Sequence, residues 1–289
     1  MIIIIGAITV TMCIFGGFML EKGNIWVILN ALMNEVVIIA GGAVGSLIIM
    51  APKKVLLDIA RNLLLCLKGT PYNRGSYDDL LKVLYELFLL GRRNGMIALE
   101  DHVLEPKTSS ILKKYPRFSG NADAVEFLCG ALRPIIDGKI KPDQLRLLLD
   151  AEIERKEIEH HAPVSVLQKT GDALPGFGIV AAVLGIVITM ASITGAVEVN
   201  GTHVAAALVG TFLGILLAYG FVGPLAANME FICEAELDYT RCIAACVIGF
   251  ASGMAPVTAV ELGRRGLSSE FRPDTEEMEQ MFKALKTGK

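Results

Sequence analysis

Four stretches of this chain are too apolar and too long to meet water, and they decide its fold class before any motif is read. Met1–Leu20 carries no charge and ends at Glu21-Lys22, and Val36–Ala51 is interrupted only by small residues and stops at Pro52-Lys53-Lys54. Two more run from about Leu174 to Val197 and from about Val204 to Met229. Each is close to the ~20 residues with which an α-helix crosses a hydrocarbon core of ~30 Å, and helices are one of only two structures that satisfy their own backbone there. The second run is short, and Asn34 and Glu35 are assigned to its interface. The first lacks the basic leader and short core of a signal peptide, so it is read as a retained helix. A hydrophobic fraction of 53% and a mean hydropathy of +0.54 agree.

Basic residues orient these spans. Nineteen of the 27 Lys and Arg lie between the second and third spans and seven follow the fourth, whereas Lys22 alone occupies the first short loop. Both chain ends and the long loop are therefore expected in the cytoplasm. Cys242–Val260 is a rival fifth span, but crossing there would put Arg264-Arg265 outside. It is read as a cytoplasmic extension of the fourth helix, packed on the soluble part.

The soluble part reads as helical. Leu80–Leu90 is apolar on more than one face, as a core helix is, and a helix is expected over Pro142–His161 with Asp143 in its first turn. The tail after Arg272-Pro273 is charged and expected to fray. The resulting fold class is an all-α integral membrane protein, with four transmembrane helices plus a helical cytoplasmic domain. Its divisions are 1–51 (spans one and two), 52–172 (cytoplasmic domain), 173–229 (spans three and four) and 230–289 (C-terminal helix and tail).

Chemistry is sparse. The cysteines and His102, His160, His161 and His203 form no metal spacing, and there is no Walker loop, GxSxG or dinucleotide fingerprint. Neither an enzyme, a metal site nor a cofactor is expected, and a net charge of -3 gives no reason to expect nucleic acid. No ionisable residue is placed inside a span, the nearest being Glu35, Asp172 and Glu230 at the edges. That argues against a small-molecule transporter and leaves either a scaffold or a channel whose carboxylate belongs to another chain.

Small and kinking residues carry the rest. Gly41, Gly42 and Gly45 in span two, and Gly210 and Gly214 in span four, are expected to form close-packing faces. Thr211 beside that face either lines a wet path or bonds back to the helix. Pro175 is read as a first-turn proline opening span three. Pro224 is interior, frees the Gly220 carbonyl and is expected to kink span four.

The runs Gly171–Ala182 and Val209–Phe221 closely resemble the third and fourth spans of the MotA family of flagellar stator subunits, and Arg92–Glu100 resembles its torque-generating segment. The likeness extends over essentially the whole chain. ExbB and TolQ, energisers of outer-membrane transport, are looser relatives with three spans. The resemblance implies a multi-pass protein of the bacterial inner membrane, five copies around two of MotB, whose single span supplies an aspartate to the ion path. It implies that Arg92 or Arg93 together with Glu100 meets the rotor protein FliG, the eight-residue spacing allowing one helical stripe. It implies that Pro175, Pro224, Thr211, Ala182, Asp172 and Tyr219 serve the ion path and its coupling to movement, and that alanine at position 182 marks a proton-driven rather than sodium-driven member.

Overall fold

The computed structural model describes residues 2–191 and 197–286. The end of the expected third span beyond Ala191 and the His203 side chain lie outside that description. The described residues fold into helices in the order α1 (Ile2–Leu20), α2 (Ile25–Met50), α3 (Lys53–Lys68), α4 (Arg74–Asn94), α5 (Glu100–Leu104), α6 (Pro116–Ser119), α7 (Ala122–Ile136), α8 (Pro142–Ala191), α9 (Val197–Ile215), α10 (Gly223–Ala251), α11 (Pro256–Arg265) and α12 (Thr275–Lys286). They form two compact units, one made of Met1–Gly69 and Glu159–Ile232, the other of Thr70–Ile158 and Cys233–Lys289.

The first unit holds the four helices long and apolar enough to cross a membrane. Helix α1 buries none of its residues within the chain, leaving its apolar surface to lipid or another chain. Helix α2 starts well before the expected Val36. The Asn24 side chain accepts from the Trp26 N–H at 3.0 Å and caps it, so Ile25–Asn34 belong to the helix. Its other end falls where the sequence placed it, at Ala51 before Pro52.

The second unit has an aromatic-rich core. Nearly half of α4 is fully buried, from Ser76 and Tyr77 through Phe88 to Gly91. A capping box starts it, Ser76 N–H bonding Asn73 Oδ1 at 3.1 Å and Asn73 N–H bonding Ser76 Oγ at 2.9 Å. The rival span resolves as expected into the core of this unit. Cys242, Ile243, Cys246, Val247 and Val260 are buried with the α4 residues. The stretch is not one helix, since α10 ends at Ala251 and Gly253 takes φ 83° before α11 begins.

The tail corrects the expectation of fraying. Helix α12 buries Met278 and Phe282, and the Phe282 ring stacks on Tyr85 with centroids 4.1 Å apart. Replacing Phe282 with alanine is expected to cost about 3–5 kcal/mol in this unit, as other buried Phe deletions do, checked by chemical unfolding of the protein in detergent. A second anchor is Arg264, 7% exposed, which holds Glu261 through Nε–Oε2 at 2.6 Å and Nη2–Oε1 at 2.8 Å and donates to the Pro273 carbonyl at 2.6 Å. The hydrogen bonds and charge of Arg264, with those of Arg265, hold the Glu261 carboxyl down to about 2. Its contribution is complete above the usual carboxylate range and is lost as pH falls towards 2. Arg264→Ala leaves the Pro273 carbonyl without this donor and Glu261 with Arg265 as its remaining cation, at an expected cost of about 1–3 kcal/mol, and should shift the acid-unfolding midpoint of the protein upward.

Candidate functional site

The membrane part of α8 and the α9–α10 helix pack antiparallel with almost no side-chain layer between them. Gly171 lies against Val222 and Gly223, Gly178 against Gly210, Thr211 and Gly214, and Gly185 against Ala207. A Cβ placed on Gly214 would fall 2.7 Å from the Leu174 carbonyl oxygen and 3.0 Å from the Gly178 Cα, and one on Gly178 would fall 2.9 Å from the Gly210 carbonyl oxygen. The expected small-residue face of span four is thus realised as backbone against backbone. On α2 the expectation holds at one position only. Gly42 receives the edge of the Phe177 ring, whereas Gly41 and Gly45 have nothing within 4 Å of a would-be Cβ.

Thr211 and Ala182 are both half-buried at this seam, Thr211 directly beside Gly178 and Ala182 one turn beyond it. The hydroxyls of Thr9, Thr170 and Thr189 bond the carbonyl four residues back. The Thr211 hydroxyl makes no such bond to any described residue, so of its two readings the backbone bond is not the one taken.

Pro175 departs from its expected setting, whereas Pro224 keeps its interior place in a helix of altered geometry. Pro175 does not open a helix. It lies inside α8, which runs unbroken from Pro142, so its missing N–H leaves the Gly171 carbonyl without a helical donor. Pro224 sits just after a seven-residue π-helical segment, Leu216–Val222, in which the Gly223 N–H reaches the Ala218 carbonyl. A π segment lets a helix pass a residue that cannot donate, and such segments concentrate at functional sites. Tyr219 points out of it, 71% exposed. Asp172, at the Gly171–Gly223 end of the seam, is exposed and accepts from Gln168 Nε2 at 3.3 Å.

The placement of Glu35 overturns a premise of the sequence reading. It is not at an interface but about 15 Å along α2 from Ile25, at 1.5 Å per residue, near the middle of the span. It is 6% exposed, its Oε2 has no hydrogen-bond partner, and the carboxyl fills the space a Cβ on Gly210 would occupy. The four spans are therefore not free of carboxylates. The signal was in the sequence: Ala31, Glu35, Ile39 and Ala43 recur every fourth residue, so Glu35 shares the buried face.

Arg92, Arg93 and Glu100 lie in the other unit. All three are exposed, and none of their side chains makes a hydrogen bond or ion pair to a described residue. They do not share a helix. Helix α4 ends at Asn94, Gly95 turns the chain at φ 87°, a 3₁₀ turn covers Met96–Leu99 and α5 starts at Glu100. Neither arginine points inward, so both are offered to solvent beside Ile97, which is 77% exposed.

Known proteins resemble this arrangement throughout. Residues 4–95 match the family described as Motility protein A N-terminal, and residues 121–239 match the MotA/TolQ/ExbB proton channel family. The chain is 37% identical over 288 residues to Motility protein A of Salmonella typhimurium, covering 99% of this chain and 96% of that one. It is 35% identical over 276 residues to chemotaxis protein LafT of Vibrio parahaemolyticus, covering 96% of each. Among solved structures, C. jejuni MotAB aligns with a TM-score of 0.77 at 20% identity over 94% of this chain and 98% of that one. The MotAB stator complex of Bacillus subtilis aligns at 0.72 with 22% identity, over 96% and 98%.

Proposed function

Because the chain belongs to the motility protein A members of the MotA/TolQ/ExbB proton channel family, we propose that its α8–α9 seam carries the ion-driven movement of a flagellar stator. It is a stator subunit of the bacterial inner membrane that converts ion flow into rotation of the flagellar rotor. The observation that carries this is identity to Motility protein A along nearly the whole chain, through both the spans and the soluble unit.

In this reading both chain ends and the soluble unit face the cytoplasm. Five copies surround two copies of a MotB-type partner, whose span brings an aspartate to the side of the seam where Thr211 and Ala182 lie. Ala182 offers no oxygen to a sodium ion, which favours protons as the transported ion. One charge moved through ~100 mV supplies ~2.3 kcal/mol. Protonation of the partner's carboxylate alters how it sits against the seam, and the π segment and Pro175 supply backbone that can yield. Arg92, Arg93 and Glu100 present unpaired charge to FliG, so movement of the subunit is transmitted as torque without covalent chemistry.

Gentle solubilisation of the native complex tests the partnership. Co-purification of a single-span protein with an intramembrane Asp and a peptidoglycan-binding domain is the expected result. An ExbD- or TolR-type partner would move the function to outer-membrane energisation, and the absence of any partner would return the solitary transporter.

A further inference from the structure

We propose that Glu35 is a proton-binding site carried by this chain within the membrane, a titrating carboxyl distinct from the one the partner brings. It rests on the stator reading only in what the bound proton is for.

The site is built. Gly210 supplies a niche with no side chain, in which a Cβ would stand 2.5 Å from Glu35 Oε2 and 3.2 Å from the Ala181 Cβ. The carboxyl occupies that niche, 6% exposed and with Oε2 unpartnered. Among the described residues of the packed elements, no compensating charge lies beside it. Helix α1 has no charged residue, the membrane part of α8 has none beyond Asp172 at its end, and on α9 the side chains of Glu198 and His203 fall outside the described residues. A bare carboxylate held there without donors carries a large desolvation cost. The carboxyl can therefore remain in the niche with a proton on it, and on losing the proton it must draw in water or leave Gly210. Proton binding is thereby tied to the packing of α2 on α9, one residue from Thr211 and next to Ala181–Ala182.

Infrared difference spectroscopy of the purified complex, native against Glu35→Gln, reads this directly. The expected result is a protonated-carboxyl C=O band present in the native protein, absent from Glu35→Gln, shifted by D₂O and rising and falling reversibly as pH is stepped. Glu35→Asp keeps a titrating group in the same region and should retain a displaced band. Two results overturn the proposal: a difference spectrum containing only carboxylate bands at every pH, or a protonated band that neither titrates nor exchanges. The spectrum does not depend on rotation, so failure here leaves the stator assignment standing, and a failed stator assignment leaves the spectrum readable.

Discussion

Gly214→Ala is expected to stop flagellar rotation and destabilise the membrane unit, and Gly45→Ala to do neither. The added methyl at position 214 meets the Leu174 carbonyl at 2.7 Å and the Gly178 backbone at 3.0–3.2 Å. All of these are main-chain atoms of a helix, so no rotamer change can relieve the clash, and α8 must move away from α9. Overpacking of this kind costs typically about 1–3 kcal/mol and sometimes more. Lost contact along the whole seam adds to that, because van der Waals fit is most of what joins helices in lipid. Gly45 has nothing within 4 Å of its would-be Cβ, so its substitution should stay within about 0.5 kcal/mol. Thermal unfolding in detergent and a swimming assay on the same variants check the contrast. Equal behaviour of the two would mean that the seam is not packed as described.

The second large effect is expected at the exposed charges. Arg92 and Arg93 both face solvent without partners, so each can substitute for the other against an acidic rotor surface. Arg92→Ala alone should cost little, since an exposed charge pair contributes about 0.2–1 kcal/mol. The double substitution Arg92→Ala with Arg93→Ala should weaken docking on the order of tenfold per subunit. Adding Glu100→Lys sets like charge against like and should abolish rotation. Folding and membrane insertion should be unaffected, because no intrachain bond is broken. Bead-rotation torque against the amount of membrane-inserted protein separates the two effects. Normal torque from the triple variant would remove these residues from the rotor contact.

Much of this was legible in the sequence because hydrophobic length and charge asymmetry are strong signals. The four spans, the folding-back of Cys242–Val260 into the soluble core and the buried length of α4 all follow from where apolar side chains can go. What sequence reading misplaced depends on helix continuity. Pro175 looked like a first-turn residue because the run before it is polar, yet a helix crossing from water into lipid needs no break there. Glu35 reads as interfacial because the uninterrupted apolar run begins at Val36, although the helix face on which it recurs points inward. The stripe expected from Arg92 to Glu100 assumed a helix that Gly95 ends. The charged tail looked loose because its two anchors, Met278 and Phe282, are spaced four apart among polar residues and bury their side chains in a unit assembled from distant segments. The π segment had only Pro224 as its signal.

The most direct test of the account is rotation itself. This chain, expressed with the single-span partner from its own genome in a flagellated cell lacking stator units, should restore rotation of a tethered cell in discrete upward steps as units engage. Rotation should stop when the proton gradient is collapsed. Efficient membrane insertion of both chains with no rotation would contradict the account, as would rotation that persists when the partner's intramembrane carboxylate is replaced by its amide.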